Sequence, residues 1–131
     1  MGAYLAGDQG FRLVDGEVGR PGSTLRGVAD TVTPVVWRGK RRWIYYQDGA
    51  RLPAAPDGSA GAVPATYPNG DIAAATYRYG KGRIGLAGPH PEADESGYRR
   101  YGLRSPDGVS PDMADDLIRA TMAPWRRGWE A

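Results

Sequence analysis

DIAAATYRYGKGRIGLAGPHPE, residues 71–92, is the stretch of this 131-residue chain on which the other segments depend. Residues 72–79 are apolar, small and aromatic, Gly80-Lys81-Gly82 supplies a turn, and residues 84–87 resume the apolar run. Two β-favouring runs around a short glycine-rich turn predict a β-hairpin. The second run leads into Gly88-Pro89-His90-Pro91-Glu92, which contains the only histidine of the chain.

The exit from this hairpin is stiffened by two prolines. A following proline disfavours the α region, so Gly88 and His90 are expected to be extended, and each proline fixes its own φ. In an extended segment, residues two apart point to the same side, with Cα atoms roughly 6.5 Å apart. His90 and Glu92 are therefore predicted to present their side chains together.

Two interpretations of this pair stay open. A carboxylate that holds one imidazole nitrogen fixes the tautomer and stabilises the imidazolium, which leaves the other nitrogen to accept a proton from a nucleophile. His90 and Glu92 would then be two members of a catalytic triad. The commoner arrangement is a surface histidine in a proline-rich loop beside a solvated glutamate, and spacing alone favours that arrangement.

Composition excludes several kinds of site. Hydrophobic residues make up 40% and charged residues 24%, which is typical of a globular chain and fits a single domain. The chain has no cysteine and one histidine, so disulfides, thiolate metal sites, a cysteine nucleophile and a His-rich metal site are excluded within these residues. We expect no metal and no cofactor. No apolar run reaches membrane-spanning length and no signal peptide is recognisable, so a cytoplasmic protein without a membrane partner is expected.

A second hairpin is predicted upstream of the first. Residues 35–37 and 43–46 are β-favouring runs, and they flank a polar loop, RGKRR, at residues 38–42. The small and β-branched residues 28–36 predict strands that are broken near Pro34.

The basic loop at residues 38–42 allows two explanations. Its four basic side chains could contact phosphate while Trp37 or Trp43 stacks on a base. A charged hairpin tip that keeps a sheet edge soluble is the simpler explanation. Because the formal net charge of the chain is only +2, we favour the second explanation and do not expect a nucleic-acid partner.

The other segments give weaker signals. Residues 1–7 resemble a helix that starts without a capping side chain, and residues 11–14 predict a short strand. Residues 53–64 predict a surface loop, and residues 93–108 show no clear periodicity.

Ser110-Pro111-Asp112 has the composition of a helix start: a capping hydroxyl, a proline and an acidic residue. Two rows at four-residue spacing follow it, Met113, Leu117 and Thr121 in one and Ala114, Ile118 and Met122 in the other. Pro124 ends the predicted helix, and the following tail contains Trp125 and Trp129.

Three stretches in this order resemble the class I glutamine amidotransferase-like superfamily. They are MGAYLAG (residues 1–7), WIYYQDGARL (residues 43–52) and IAAATYRYGKGRIGLAGPHPEAD (residues 72–94). The branch they resemble is the one named for the N-terminal domain of biotin-protein ligases. The resemblance implies an α/β fold over a single domain, residues 1–131: the hairpin-rich C-terminal half of a flavodoxin-like fold, followed by a C-terminal helix.

The same resemblance assigns roles to the histidine and the glutamate. In that superfamily a Cys-His-Glu triad performs nucleophilic chemistry on an amide or similar carbonyl. His90 matches the base and Glu92 its orienting acid. Met1-Gly2-Ala3-Tyr4 matches the residues just after the family's nucleophile, which would therefore fall immediately before Met1. Two explanations stay open. The chain is an N-terminally truncated domain that begins at an internal methionine and is inactive alone, which the position of Met1 favours, or it is a genuine short protein that uses the site for binding or completes itself with another chain.

Partners follow from the resemblance as well. It implies a small carboxamide or amino-acid-like ligand, and self-association or pairing with a missing N-terminal half. The alternative is a non-catalytic ligand-binding or protein-interaction module that uses the same His90–Glu92 pair.

Overall fold

The computed structural model describes residues 16–27, 29–54 and 60–123. The helix predicted at residues 1–7, the strand predicted at residues 11–14 and the tail with Trp125 and Trp129 lie outside these ranges. Five strands form one sheet in the order β2-β1-β3-β4-β5: β1 (Thr31–Trp37), β2 (Lys40–Tyr46), β3 (Ala60–Thr66), β4 (Ile72–Tyr79) and β5 (Gly82–Ala87). Two helices follow, α1 (Glu95–Arg100) and α2 (Asp112–Met122).

All strand pairings in this sheet are antiparallel. The described part of the chain is therefore mixed α/β, with the strands preceding the helices. None of the described strands shows the parallel pairing on which a flavodoxin-like sheet is built.

The central hairpin is confirmed. β4 and β5 pair from Ala74↔Ala87 to Tyr79↔Gly82, and Gly80 in the connection takes a φ of 58°, which glycine adopts without a steric penalty. The exit segment at residues 88–92 therefore leaves the sheet from the end of an edge strand.

The second hairpin is also present, but the predicted five-residue loop at residues 38–42 is wrong. β2 begins at Lys40, and the turn is Arg38-Gly39, with φ values of 50° and 78°. Positive φ at both central residues is the geometry that matches the twist of a two-residue hairpin. Arg41 and Arg42 are strand residues on opposite faces, and Arg42 forms an ion pair with Asp112 of α2.

The break predicted near Pro34 is wrong as well. β1 runs through Pro34, which pairs with Trp43 of β2. Among the described strands, β3 pairs with β1 only at Val36 and Trp37. On the side of β1 that faces β3, Pro34 therefore has no paired strand among those described, so no carbonyl there needs the N–H that proline lacks.

Two elements were not anticipated. The loop predicted at residues 53–64 is wrong from residue 60, where β3 begins. The segment at residues 93–108 contains α1, whose N-cap is Asp94. The Asp94 carboxylate accepts the backbone N–H of Gly97 at 3.1 Å, which satisfies one of the unpaired donors of the first turn.

Three buried tyrosines connect the sheet to the segment after β2. Their exposed fractions are 1% or less. Each hydroxyl donates to a backbone carbonyl of residues 49–53: Tyr46 to Gly49 (2.7 Å), Tyr67 to Ala50 (2.9 Å) and Tyr77 to Pro53 (2.7 Å). A buried hydroxyl left without such a partner would be costly, so these bonds fix the path of the segment against the sheet.

The helix α2 packs on the sheet with one of its two predicted rows. Met113 is 5% exposed and Leu117 packs against the same core, whereas Ile118 and Met122 of the other row are 56% and 78% exposed. The closest approach is at Gly85 of β5. A Cβ added there would overlap Thr121 Oγ1 and would lie 3.2 Å from Thr121 Cβ.

Gly85→Ala is expected to lower the free energy of unfolding by about 1–3 kcal/mol, the usual range for overpacking a fitted contact. The reason is that the added methyl group displaces α2 at Thr121. Urea denaturation of Gly85→Ala, Thr121→Ala and the double variant measures the coupling. The double variant should recover part of the loss, and strictly additive losses would show that this contact does not limit the packing of α2.

Candidate functional site

His90 and Glu92 are in contact. Nδ1 of His90 lies 2.8 Å from Oε1 of Glu92, and the two side chains are 42% and 64% exposed. The flanking residues Pro89 and Pro91 are buried. We call residues 88–92 the His90 corner: its prolines are anchored in the protein while its polar side chains face solvent.

Tyr45 of β2 holds the histidine in place. The backbone N–H of His90 donates to the Tyr45 carbonyl at 2.8 Å, as an isolated antiparallel bridge on the outer edge of β2. The two rings meet edge to face, with centroids 5.8 Å apart and planes at 82°. Both contacts limit the orientation of the imidazole, and the sequence did not reveal them because Tyr45 is far from His90 along the chain.

The Tyr45 ring is itself enclosed. It packs against Tyr98 and Tyr101, and its hydroxyl donates to Asp30. Burial, followed by the hydrogen bond and charge of Asp30, raises the pKa of Tyr45 to about 12. Tyr45 therefore stays protonated near neutral pH, and its role at the His90 corner is to pack and orient.

Gly88 fits a site that admits no side chain. A Cβ added there would overlap the Ala50 carbonyl oxygen and the Tyr67 hydroxyl. A Cβ on Gly49 would lie 2.7 Å from the Gly88 carbonyl carbon. The backbone of residues 49–50 is thus pressed directly against the start of the His90 corner, two residues before the histidine.

The His90–Glu92 contact defines which nitrogen is available for chemistry. A carboxylate can only accept hydrogen bonds, so the contact with Glu92 favours the tautomer in which Nδ1 carries the proton. Within residues 16–27, 29–54 and 60–123, no group forms a hydrogen bond with Nε2 of His90. In the neutral ring Nε2 then holds a lone pair that can take a proton from a donor in solvent.

A groove lies on the face of β2 that carries the Tyr45 ring, since Arg41, Trp43 and Tyr45 alternate along this strand. It has a volume of about 550 Å³ and is lined in part by Asp30, Arg41 and Trp43. The Arg41 guanidinium lies over the Trp43 ring at 5.6 Å. Asp30 links this groove to the His90 corner, because Asp30 accepts the hydroxyl of the tyrosine that packs on His90.

The groups proposed for nucleic-acid contact are largely used inside the fold. Arg38 makes two hydrogen bonds to Asp116, at 2.9 and 2.8 Å. Arg42 makes two hydrogen bonds to Asp112. These bonds, together with the charge of Arg42, lower the pKa of that carboxyl to about 2. Trp37 is buried, and its indole N–H donates to Asp116 at 2.7 Å, so its ring is not available to stack on a base.

Within the described ranges, no helix is long and apolar enough to cross a membrane. No three His, Asp or Glu side chains in the same ranges are grouped so that they could hold a metal ion. In comparisons with known proteins, no family model, no curated protein and no solved structure matches this chain.

Proposed function

We propose that this chain carries the His-Glu part of a class I glutamine amidotransferase-like site, of the branch named for biotin-protein ligase N-terminal domains. The observation that supports the proposal is the 2.8 Å contact between Nδ1 of His90 and Oε1 of Glu92 at the end of a strand. The antiparallel sheet would be the hairpin-rich C-terminal part of a flavodoxin-like fold. The site is catalytically incomplete, because the chain contains no cysteine.

The chemistry assigns one step to each residue. His90 Nε2 takes the proton of a thiol, and Glu92 stabilises the imidazolium through Nδ1–H. The thiolate then attacks the carbonyl carbon of a carboxamide, ammonia leaves with the proton returned by His90, and water hydrolyses the resulting thioester. The thiol must be supplied from outside these 131 residues.

The groove lined in part by Asp30, Arg41 and Trp43 has a size that suits the ligand class that this chemistry requires. Its volume of about 550 Å³ is in the range of small-molecule sites. Arg41, whose guanidinium carbon lies 5.6 Å from the centre of the Trp43 ring, presents planar donors that match a carboxylate. A small amino-acid-like carboxamide would thus be bound by its carboxylate at Arg41.

The proposal predicts the tautomer of His90. In the neutral wild-type ring the proton should reside mainly on Nδ1, because Glu92 accepts it, and Nε2 should be unprotonated. Long-range ¹H–¹⁵N NMR spectra measure this directly, and they need no assignment because the chain has one histidine. Glu92→Ala should shift the population toward the Nε2–H form.

Glu95→Gln, which changes an exposed glutamate of α1, is the matched control and should leave the tautomer unchanged. A wild-type ring that is mainly protonated on Nε2 would contradict the proposal, since no lone pair would then be available to a thiol. The same spectrum in Glu92→Ala and in wild type would show that the carboxylate does not orient the ring.

A non-catalytic ligand-binding module is the second candidate. The observation that favours it is the lack of any cysteine in a chain that still forms the His90–Glu92 contact and the groove at Asp30, Arg41 and Trp43. The two candidates differ in one property: only the first requires His90 to activate a thiol.

A further inference from the structure

Glu17 is a buried carboxyl group that the proposed chemistry does not use. It lies in the segment before β1 and is 0% exposed. Its Oε1 accepts the side-chain amide N–H of Asn69 at 2.8 Å. Its Oε2 is also buried and, within the described part of the chain, accepts no hydrogen bond. A buried carboxylate in this state would be costly, whereas a carboxylic acid can donate its proton to a neighbouring acceptor.

The acceptor is Asp71, whose side chain lies within hydrogen-bonding reach of the Glu17 carboxyl. The same Asn69 nitrogen that binds Glu17 also donates to Asp71 Oδ2 at 3.1 Å, so one amide group contacts both carboxyls. Arg20 also binds Asp71, with Nε 3.1 Å from the same Oδ2 and Nη2 3.5 Å from Oδ1. Two adjacent carboxyls do not readily ionise together. The arginine therefore keeps the negative charge on Asp71, and Glu17 keeps the proton.

The pKa shifts agree with this division. Burial, followed by the hydrogen bond and charge of Asp71, raises the pKa of Glu17 from 4.5 to about 7. The Arg20 hydrogen bond is the largest cause that lowers the pKa of Asp71 below its ordinary value.

The other groups around Glu17 do not change charge near neutral pH. Tyr46 of β2 and Tyr67 after β3 both have a pKa raised mainly by burial, so both stay neutral. Ser23, on the same segment as Glu17, and Asn69 are polar and uncharged, and they favour the ionised form of Glu17. The charged side chains nearby are Arg20, Asp71 and, beside Tyr46, Asp48.

Glu17 is connected to the His90 corner through backbone contacts. Its N–H donates to the Gly49 carbonyl at 3.0 Å, and the neighbouring Gly16 forms an antiparallel bridge with Ala50. Residues 49–50 are the backbone that presses on Gly88. We call residues 16–25 the Glu17 segment. This segment contacts residues 49–50, which in turn contact Gly88.

We infer that Glu17 is a positioning residue for the His90 corner and acts in its protonated form, by donating to Asp71 and holding the Glu17 segment against residues 49–50. Loss of the proton places a second negative charge beside Asp71 in a buried position, which loosens this support. Its importance for catalysis rests on the proposed function, but the coupling between Glu17 and Gly88 does not.

The experiment is a pH titration by NMR from pH 4 to 8.5, in a His90→Gln background that contains no imidazole. The ¹³C signal of the Glu17 carboxyl should titrate near 7 rather than near 4.5. The backbone amide signals of Gly49 and Gly88 should shift with the same midpoint. Glu17→Gln, whose side-chain amide can donate to Asp71 and accept from Asn69, should leave both amide signals unchanged across this range.

Unfolding adds a readout with a definite sign. The folded pKa of Glu17 lies above its ordinary value, so its contribution to stability is complete below about 4.5 and is lost as the pH rises to about 7. Asp71 has a lowered pKa, so its contribution to stability is lost only as the pH falls below its ordinary pKa of 3.8. That range does not overlap the range in which Glu17 acts. Glu17→Gln should remove the decline in the urea midpoint between these two pH values, and Glu95→Gln on α1 should keep it.

A Glu17 carboxyl that titrates near 4.5 would overturn the inference, and so would a Gly88 amide that stays flat through the Glu17 transition. None of these readouts involves a thiol. A negative result here therefore leaves the proposed function standing, and failure of thiol activation leaves the Glu17–Gly88 coupling standing.

Discussion

Gly88→Ala is expected to lower the free energy of unfolding by about 3 kcal/mol or more, at the upper end of what overpacking costs. The added Cβ would overlap the Ala50 carbonyl oxygen and the Tyr67 hydroxyl, and it would lie 3.1 Å from the Ala50 carbonyl carbon. Two of these atoms belong to the backbone, so no side-chain rotation relieves the overlap. Urea denaturation followed by tryptophan fluorescence measures the loss.

Gly82→Ala is the matched control, because Gly82 begins β5, the strand that leads to Gly88, and the nearest atom to its added Cβ is Tyr79 O at 3.6 Å. It should change the free energy of unfolding by less than about 1 kcal/mol. Similar losses in the two variants would mean that the effect comes from strand propensity and not from the contact with residues 49–50. If Gly88→Ala does not fold, Gly49→Ala tests the same interface from the other side, since its Cβ would lie 2.7 Å from the Gly88 carbonyl carbon.

Local sequence was sufficient to predict the central hairpin and the side-by-side placement of His90 and Glu92. Both depend on neighbours within a few residues: Gly80 for the turn, and Pro89 and Pro91 for the extended backbone of the His90 corner. Steric rules of this kind act without tertiary context. Prediction from the sequence was therefore correct where the residues that determine the structure are close together along the chain.

The errors arose where distant residues determine the structure. Arg41 and Arg42 suggested a loop, but Arg42 is neutralised by Asp112, which lies 70 positions later in the chain. Pro34 suggested a break, but β1 tolerates it because of where β3 pairs. A single sequence does not show which acidic residue or which strand will be the neighbour, so charge and proline signals were assigned to loops.

The candidate site divides in the same way. His90 and Glu92 were identified from the sequence, whereas Tyr45, Gly49 and Glu17 were not, although all three lie within a chain of contacts that leads to the corner. A buried glutamate in particular gives no sequence signal. Glu17 follows a glycine in a polar segment, and only the surrounding Asn69 and Asp71 make its burial understandable.

The largest chemical effect is expected when a thiol is supplied to His90. A variant with Gly-Xaa-Cys added directly before Met1 places the cysteine where the resemblance of residues 1–4 to the family motif predicts the nucleophile. If His90 accepts its proton, the cysteine should have a pKa of about 7 or lower, against about 8.5 for an ordinary cysteine. The pH dependence of its alkylation by iodoacetamide measures this pKa, and the added cysteine is the only thiol because the chain has none of its own.

Three variants separate the triad from simpler causes of a reactive thiol. His90→Gln in the extended chain should return the cysteine pKa toward about 8.5, and Glu92→Ala should give an intermediate value, since Nε2 remains but its partner nitrogen loses the carboxylate. Lys81→Cys, at the exposed turn between β4 and β5, provides an ordinary thiol on the same protein. A low pKa that persists in His90→Gln would assign the effect to other charges or dipoles. An ordinary cysteine pKa in the extended chain that keeps His90 would show that His90 does not activate the thiol. The non-catalytic ligand module would then be the better explanation of the His90–Glu92 pair.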